Sequence, residues 1–128
     1  MNLKLKPGIN HIEFWVTDLL KSMKFYNSFL SLVGWEQISE VSFSTGSMVI
    51  YFQERKDMDK KNSLGMRHIC FQATEKEKVD QVYKAMLAEQ ATFIRVPQVM
   101  PYSKEYYTVD FYDPDGQVIE VAYTPFAL

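Results

Sequence analysis

The two halves of this chain repeat one order of segments. Each half begins with a short apolar, strand-like segment that contains a histidine, continues into a stretch of helical periodicity, and ends in further strand-like segments. Aligning the halves places His11 opposite His68, and Tyr51 opposite Glu120. A chain of 128 residues built in this way is expected to form two similar modules with the order β-α-β-β-β.

The first half contains the clearest helix signal. Its apolar residues recur at intervals of three and four: Leu19, Met23, Tyr26, Leu30 and Val33. Asp18 supplies an N-cap, and Gly34 is a natural C-terminal glycine. We expect one domain over residues 1–128, with a first module at about 8–54, a charged connector at about 55–64 and a second module at about 65–124. Pro97 is expected to end a strand, with an irregular loop over residues 97–105.

Side-chain alternation along the strands assigns the histidines to one face. His11, Glu13 and Trp15 share a face, and the apolar residues between them suit packing against the helix. In the second half the same reasoning puts His68 and Cys70 together. With Glu120 on the last strand, all three candidate ligands are expected to face a cleft. Two imidazoles and a carboxylate indicate a site for one divalent ion, Fe, Mn, Ni or Zn.

Composition and charge exclude several classes of protein. The net charge of −2 with interspersed acids and bases gives no basic stripe, so we expect no nucleic-acid partner. We also expect no membrane span. The single Cys70 excludes an internal disulfide, and residues 1–9 lack the apolar core of a signal peptide. A cytoplasmic protein is therefore the expectation.

Several motifs together resemble those of the vicinal oxygen chelate superfamily. They are segment 11–19, Ser22 with Phe25-Tyr26, Gly34, segment 65–69, and the Asp-Pro-Asp-Gly turn at 113–116 that leads to Ile119-Glu120. That superfamily includes glyoxalase I, extradiol dioxygenases, fosfomycin-resistance thiol transferases and bleomycin-binding proteins. The resemblance implies an α+β fold in which two βαβββ modules form a curved sheet around a cleft.

The resemblance also implies roles for individual residues. His11, His68 and Glu120 take the family's metal-ligand positions, and the fourth position of the glyoxalase I branch falls at Tyr51, which is not a carboxylate. Gln53, two residues along the same face, is a weaker oxygen donor that can substitute. The alternative is that both histidines are hydrogen-bonded core residues and Glu120 is a solvated strand-edge carboxylate.

Each of the remaining candidate site residues has two interpretations. Glu13 is a candidate general base beside His11, or else one half of an ion pair. Cys70 is a reactive thiol or a small apolar residue. The aromatic residues are pocket walls or core, and with Cys70 we single out Trp15 and Tyr107 as pocket residues. The wider aromatic set comprises Trp15, Tyr51, Tyr102, Tyr106, Tyr107 and Tyr123.

Two classes of function follow. The first is a divalent-metal-dependent enzyme acting on a molecule with vicinal oxygens, as a lyase or isomerase, a dioxygenase or a thiol transferase. The second is a non-catalytic, bleomycin-type binding protein. A homodimer is expected, in which His11 of one chain joins His68 and Glu120 of the other, although closure of the two halves of one chain on each other is the alternative.

Overall fold

The computed structural model describes residues 7–59 and 64–126 and arranges them as two modules of one helix and four strands. The first module contains β1 (His11–Val16), α1 (Leu19–Leu30), β2 (Glu36–Ser39), β3 (Ser42–Ser44) and β4 (Val49–Glu54). The second contains β5 (His68–Gln72), α2 (Lys76–Ala88), β6 (Phe93–Met100), β7 (Tyr106–Tyr112) and β8 (Val118–Tyr123). The predicted α+β order of two βαβββ modules is confirmed.

The sheets of the two modules share one topology. Their strand orders are β1-β4-β3-β2 and β5-β8-β7-β6, and in each sheet the first strand lies parallel to the last while the other pairs are antiparallel. Glu13 pairs with Tyr51 as Cys70 pairs with Glu120, which reproduces the alignment of the two halves. The strands that carry the two histidines, β1 and β5, each have a strand neighbour on one side only among the described residues.

Helix α1 forms where the sequence signals predict it. Asp18 accepts a hydrogen bond from the backbone N–H of Lys21, and a short 3-10 turn after the helix ends at Gly34, whose φ of 92° suits a residue without Cβ. The buried face of α1 includes Met23, Tyr26 and Leu30, in agreement with the predicted apolar stripe.

Aromatic side chains of α1 connect the two modules. Phe29 packs edge-on against Phe71 of β5 and Phe111 of β7, with ring centroids 5.7 and 5.3 Å apart. Tyr26 packs against Phe52 of its own sheet at 4.8 Å. One apolar core therefore lies between the helices and both sheets, and the polar faces of the sheets point away from it.

The Asp-Pro-Asp-Gly turn fixes the second module to the first. The hydroxyl of Tyr26 donates to Asp113 Oδ2 at 2.6 Å, and Thr17 donates its backbone N–H and its hydroxyl to Asp115. Asp113 Oδ1 accepts the backbone N–H groups of Asp115 and Gln117, so the same carboxylate also holds the turn in shape.

One expectation about the connections between elements differs from the structure. Pro97 does not end a strand but lies inside β6, between the residues where the β6–β7 register shifts. Strand β6 is at the edge of its sheet, where a residue without an N–H donor is tolerated. Residues 60–63 of the predicted connector lie outside the described residues. Neither helix in the described part of the chain has the length and apolar character needed to cross a membrane.

Candidate metal centre

His68 and Glu120 form a close pair on neighbouring strands. His68 Nε2 lies 3.2 Å from Glu120 Oε1. Because β5 and β8 run parallel with Cys70 opposite Glu120, the side chain of His68 is displaced by two residues along the same face. The Glu120 side chain is 5% exposed and the His68 side chain 33%, so the pair is reached from solvent through the histidine.

The second carboxylate oxygen of Glu120 is held by two hydroxyl groups from β7. Tyr106 and Thr108 each donate to Glu120 Oε2 at 2.7 Å. Burial and the hydrogen bond to Glu120 raise the pKa of Tyr106 well above its usual value, which keeps it a donor. These two donors fix the rotamer of Glu120 and leave Oε1 directed at His68.

The spacing of the pair suits a divalent ion once His68 Nε2 presents its lone pair. In the ion-free structure Arg67 Nη1 donates to His68 Nδ1 at 2.7 Å, which places the proton of a neutral ring on Nε2, toward Glu120. Two donors that are each about 2.0–2.2 Å from one ion and at right angles are about 3 Å apart, and the observed separation is 3.2 Å. Hydroxyl groups that orient a ligating carboxylate are typical outer-shell partners of metal sites. The described residues of one chain do not form a complete site, because within residues 7–59 and 64–126 no three His, Cys, Asp or Glu side chains converge as metal ligands.

His11, the third predicted ligand, is not brought to this pair within the chain. Its Nδ1 lies 2.7 Å from Asn10 Oδ1, and its ring meets Tyr51 edge-on with centroids 5.6 Å apart. The contact of His11 with Tyr51 in the first module thus corresponds to the contact of His68 with Glu120 in the second. Tyr51 is 40% exposed, and Gln53 is exposed beside it, opposite Trp15 in the β1–β4 register.

Glu13 and Trp15 lie on the exposed face of β1, apart from the His68–Glu120 pair. The indole N–H of Trp15 donates to Glu13 Oε2 at 3.0 Å, and the guanidinium of Arg55 lies 4.4 Å above the Trp15 ring. Both residues line a cavity of about 520 Å³ that reaches Asp115 of the second module. The predicted face-sharing of His11, Glu13 and Trp15 matches the alternating exposure along β1.

Cys70 belongs to the face of the pair but is a poor nucleophile. Although the residue is exposed, burial of its thiol, followed by the charge of Glu120, raises its pKa to about 12. Its sulfur donates weakly to the carbonyl of Phe71 at 3.9 Å. The neutral thiol is therefore its form at physiological pH.

Tyr107 was expected in the pocket, and the structure places it on the other side of the sheet. Its hydroxyl donates to Asp80 of α2 at 2.6 Å, and the ammonium group of Lys76 lies 4.8 Å from its ring centroid. The neighbouring Tyr106 faces Glu120 instead. Since adjacent strand residues point to opposite faces, the pocket tyrosine is corrected from Tyr107 to Tyr106.

A cavity of about 310 Å³ opens beside the pair and contains residues that the sequence reasoning did not select. Its lining comprises Arg67, His68, Ile94, Arg95, Tyr102, Tyr106, Asp110 and Glu120. Asp110 lies opposite Glu120 in the β7–β8 register. Counting outward from the Asp-Pro-Asp-Gly turn places Asp110 and Thr108 on the face of Glu120. The sequence of the hairpin could therefore have identified both residues as neighbours of Glu120.

Comparison with known protein families assigns the chain to a superfamily. A sequence model of the Glyoxalase/Bleomycin resistance protein/Dioxygenase superfamily matches residues 8–121. The chain belongs to this superfamily. A search among proteins of curated function finds no match.

Solved structures of the superfamily share the fold at low sequence identity. The fosfomycin resistance protein FosX from Listeria monocytogenes is 22% identical with a TM-score of 0.71, over 97% of this chain and 100% of that one. A glyoxalase/dioxygenase from Nostoc punctiforme is 19% identical with a TM-score of 0.71, over 98% and 99% of the two chains. A domain from Frankia sp. EAN1pec, described as glyoxylase/bleomycin resistance protein/dioxygenase, is 18% identical with a TM-score of 0.74, over 97% and 96%. These likenesses establish the fold.

Proposed function

We propose that this protein is a divalent-metal-dependent enzyme acting on a small molecule with vicinal oxygens, with His68 and Glu120 as two of its metal ligands. The observation that carries the proposal is the 3.2 Å approach of His68 Nε2 to Glu120 Oε1, with Oε2 anchored by Tyr106 and Thr108. A buried carboxylate held in this way loses little side-chain entropy on binding an ion.

The bound ion would supply Lewis-acid chemistry, polarising the adjacent oxygens of the substrate. Glu120 contributes negative charge to the site, and the hydroxyls on its second oxygen, Oε2, hold the carboxylate with Oε1 toward His68. Lyase, isomerase and thiol-transferase reactions use such polarisation, and in the ion-free protein Cys70 is a neutral thiol, because burial and the charge of Glu120 raise its pKa to about 12.

The third ligand in this proposal is His11 from a second copy of the chain. Support comes from the exposure of His11 on β1 and from the His68 side chain being one-third exposed, so that each is accessible to a partner. A homodimer with two-fold symmetry would complete two equivalent sites. Glu13 shares the face of His11, and would enter the same site as the group that accepts the substrate proton.

Metal binding tests the proposal. The wild-type protein, stripped with chelator and titrated with Mn(II), Ni(II), Zn(II) or Fe(II), is expected to take up one ion per chain. His68→Ala and Glu120→Ala are expected to abolish uptake. Asp80→Asn is the matched control, because Asp80 is a carboxylate on the helix side of the second module.

Absence of metal uptake by the wild-type protein would contradict the enzyme proposal. The bleomycin-type binding protein would then be the better account, with the exposed aromatic side chains Trp15 and Tyr51 as its binding surface. Uptake that is unaffected by His68→Ala would place the ion elsewhere and would also contradict the proposal.

A further inference from the structure

We propose that the cavity beside the His68–Glu120 pair binds an oxyanion of the substrate, through Arg95, Arg67 and the hydroxyl of Tyr102. The inference rests on the proposed function, because it assigns a chemical class to the molecule that this site would accept. The substrate is then a small carboxylate or phosphate that also carries vicinal oxygens.

The carboxylates in the cavity are already satisfied by other groups. Arg95 donates from Nε to Asp110 Oδ1 at 3.2 Å and from Nη2 to Asp110 Oδ2 at 2.7 Å. Glu120 receives two hydroxyls on one oxygen and faces His68 with the other. Neither carboxylate therefore presents an unpaired oxygen that would repel an incoming anion.

Donor capacity, in contrast, remains unused. A guanidinium has five N–H groups; Arg95 directs one from Nε and one from Nη2 to Asp110, and one from Nη1 to the Tyr102 hydroxyl at 3.2 Å. One N–H on each terminal nitrogen is left. The Tyr102 hydroxyl accepts from Arg95, so its own proton is directed elsewhere. Arg67 adds a second guanidinium at the rim, where Nη1 lies 2.7 Å from His68 Nδ1.

Arg95 and Tyr102 are held in position by contacts with neighbouring side chains. The side chain of Arg95 is 23% exposed and is oriented by the nearly buried Asp110. Tyr102 meets Tyr106 edge-on with ring centroids 5.2 Å apart, which ties the wall of the cavity to the residue that anchors Glu120. A preorganised, partly desolvated guanidinium such as that of Arg95 is a strong and selective partner for oxyanions, and the exposed Arg67 adds its charge at the rim.

Charge balance favours the same ligand class. The cavity contains two arginines and two carboxylates, and its formal charge is close to zero. A divalent ion on the His68–Glu120 pair would add two positive charges. An anionic substrate compensates this excess, whereas a neutral substrate leaves it uncompensated.

Ligand-observed NMR titration of the full chain tests the inference in the presence of chelator. The probes are inorganic phosphate with trimethyl phosphate as its neutral counterpart, and acetate with methyl acetate. We expect at least one anion to bind about tenfold or more tightly than its neutral ester. Arg67→Met and Tyr102→Phe are each expected to weaken that anion about threefold to tenfold, and Arg95→Lys more.

Lys84→Met is the control, because it removes one positive charge from the exposed side of α2. Thermal melting of each variant separates loss of binding from loss of fold, and Arg67→Met and Tyr102→Phe suffice if Arg95→Lys does not fold. Equal binding of the anions and their esters, or unchanged binding by folded Arg67→Met and Tyr102→Phe, would overturn the inference. No ion is needed in this titration, so the two hypotheses can fail separately. If the protein takes up metal but does not prefer the anions, only the oxyanion inference is rejected. If it binds the anions but takes up no metal, only the proposed metal enzyme is rejected.

Discussion

Asp110 and Glu120 face each other across β7 and β8, both almost completely buried, and each carboxylate has its own set of donors. Like charges directly opposite each other on a sheet are destabilising. Here Asp110 is compensated by the forked contact of Arg95, and Glu120 by two hydroxyls and His68. The division of donors makes Asp110 the structural carboxylate. Glu120 is the one whose Oε1, which faces His68, can meet an ion.

Removing Arg95 should therefore destabilise the fold. Arg95→Met leaves Asp110 buried without its countercharge, and we expect the free energy of unfolding to fall by about 3 kcal/mol or more. The double variant Arg95→Met with Asp110→Leu removes both charges, and should recover most of that loss. Urea denaturation measures both. A double variant as unstable as the single one would contradict the assignment of Asp110 as a carboxylate that needs Arg95.

Loss of the Thr108 hydroxyl should weaken metal binding. Thr108→Val keeps the side-chain volume but removes one of the two donors to Glu120 Oε2, and we expect the dissociation constant of the ion to rise about tenfold to a hundredfold. Thr108→Ser retains the hydroxyl and should bind the ion within about threefold of wild type. Calorimetric titration distinguishes the two. Equal affinities for the Val and Ser variants would show that this hydroxyl does not position Glu120.

Substituting each of the adjacent tyrosines of β7 tests which of them faces Glu120. Tyr106→Phe removes the other donor to Glu120 and should weaken metal affinity, whereas Tyr107→Phe removes a hydrogen bond to Asp80 on the helix side and should leave it unchanged. Tyr107→Phe should instead lower the free energy of unfolding by about 1 kcal/mol. An effect of Tyr107→Phe on metal affinity would contradict the register of β7.

The buried turn carboxylate Asp113 should give stability a defined pH dependence. Burial raises its pKa above 3.8 in the folded protein, against the lowering effect of the Tyr26 hydrogen bond. The folded state then binds more protons than the unfolded state above the unfolded pKa, so this group's contribution falls as pH rises from about 4 toward neutrality. Asp113→Asn removes that dependence while it retains an acceptor for the turn.

Urea midpoints of wild type and Asp113→Asn, measured at several pH values between about 3.5 and 7, test this expectation. The urea midpoint of Asp113→Asn should rise relative to that of wild type as the pH increases. A difference that is constant, or that shifts in favour of wild type, would contradict the raised pKa of Asp113.

The general fold followed from local signals, because the repeated segments, the capped helix and the turn at 113–116 are each encoded within a short stretch of chain. The shared face of His68 and Glu120 also followed, since side chains alternate along each strand. The choice between Tyr106 and Tyr107 failed because a shift of one residue reverses the face of a strand. Arg95 could not be placed, since the register shifts near Pro97 interrupt the alternation on β6.

The position of His11 depended on the packing of the modules, which no local pattern encodes. Contacts of Tyr26 with Asp113 and of Thr17 with Asp115 set that packing. They connect residues 87 and 98 positions apart in the chain. The sequence therefore left open whether one chain or two would complete the site, and the structure brings together two of the three predicted ligands.

Mixing two variants that each lack one metal ligand tests the shared metal centre most directly. His11→Ala and His68→Ala homodimers each lack a ligand in every site. When they are mixed and allowed to exchange subunits, the mixed dimer regains one intact site, formed by His11 of one chain with His68 and Glu120 of the other. Half of the dimers are then mixed, and we expect metal uptake to return to about a quarter of the wild-type level. Uptake that stays at the level of the separate variants after subunit exchange would contradict a site shared between two copies.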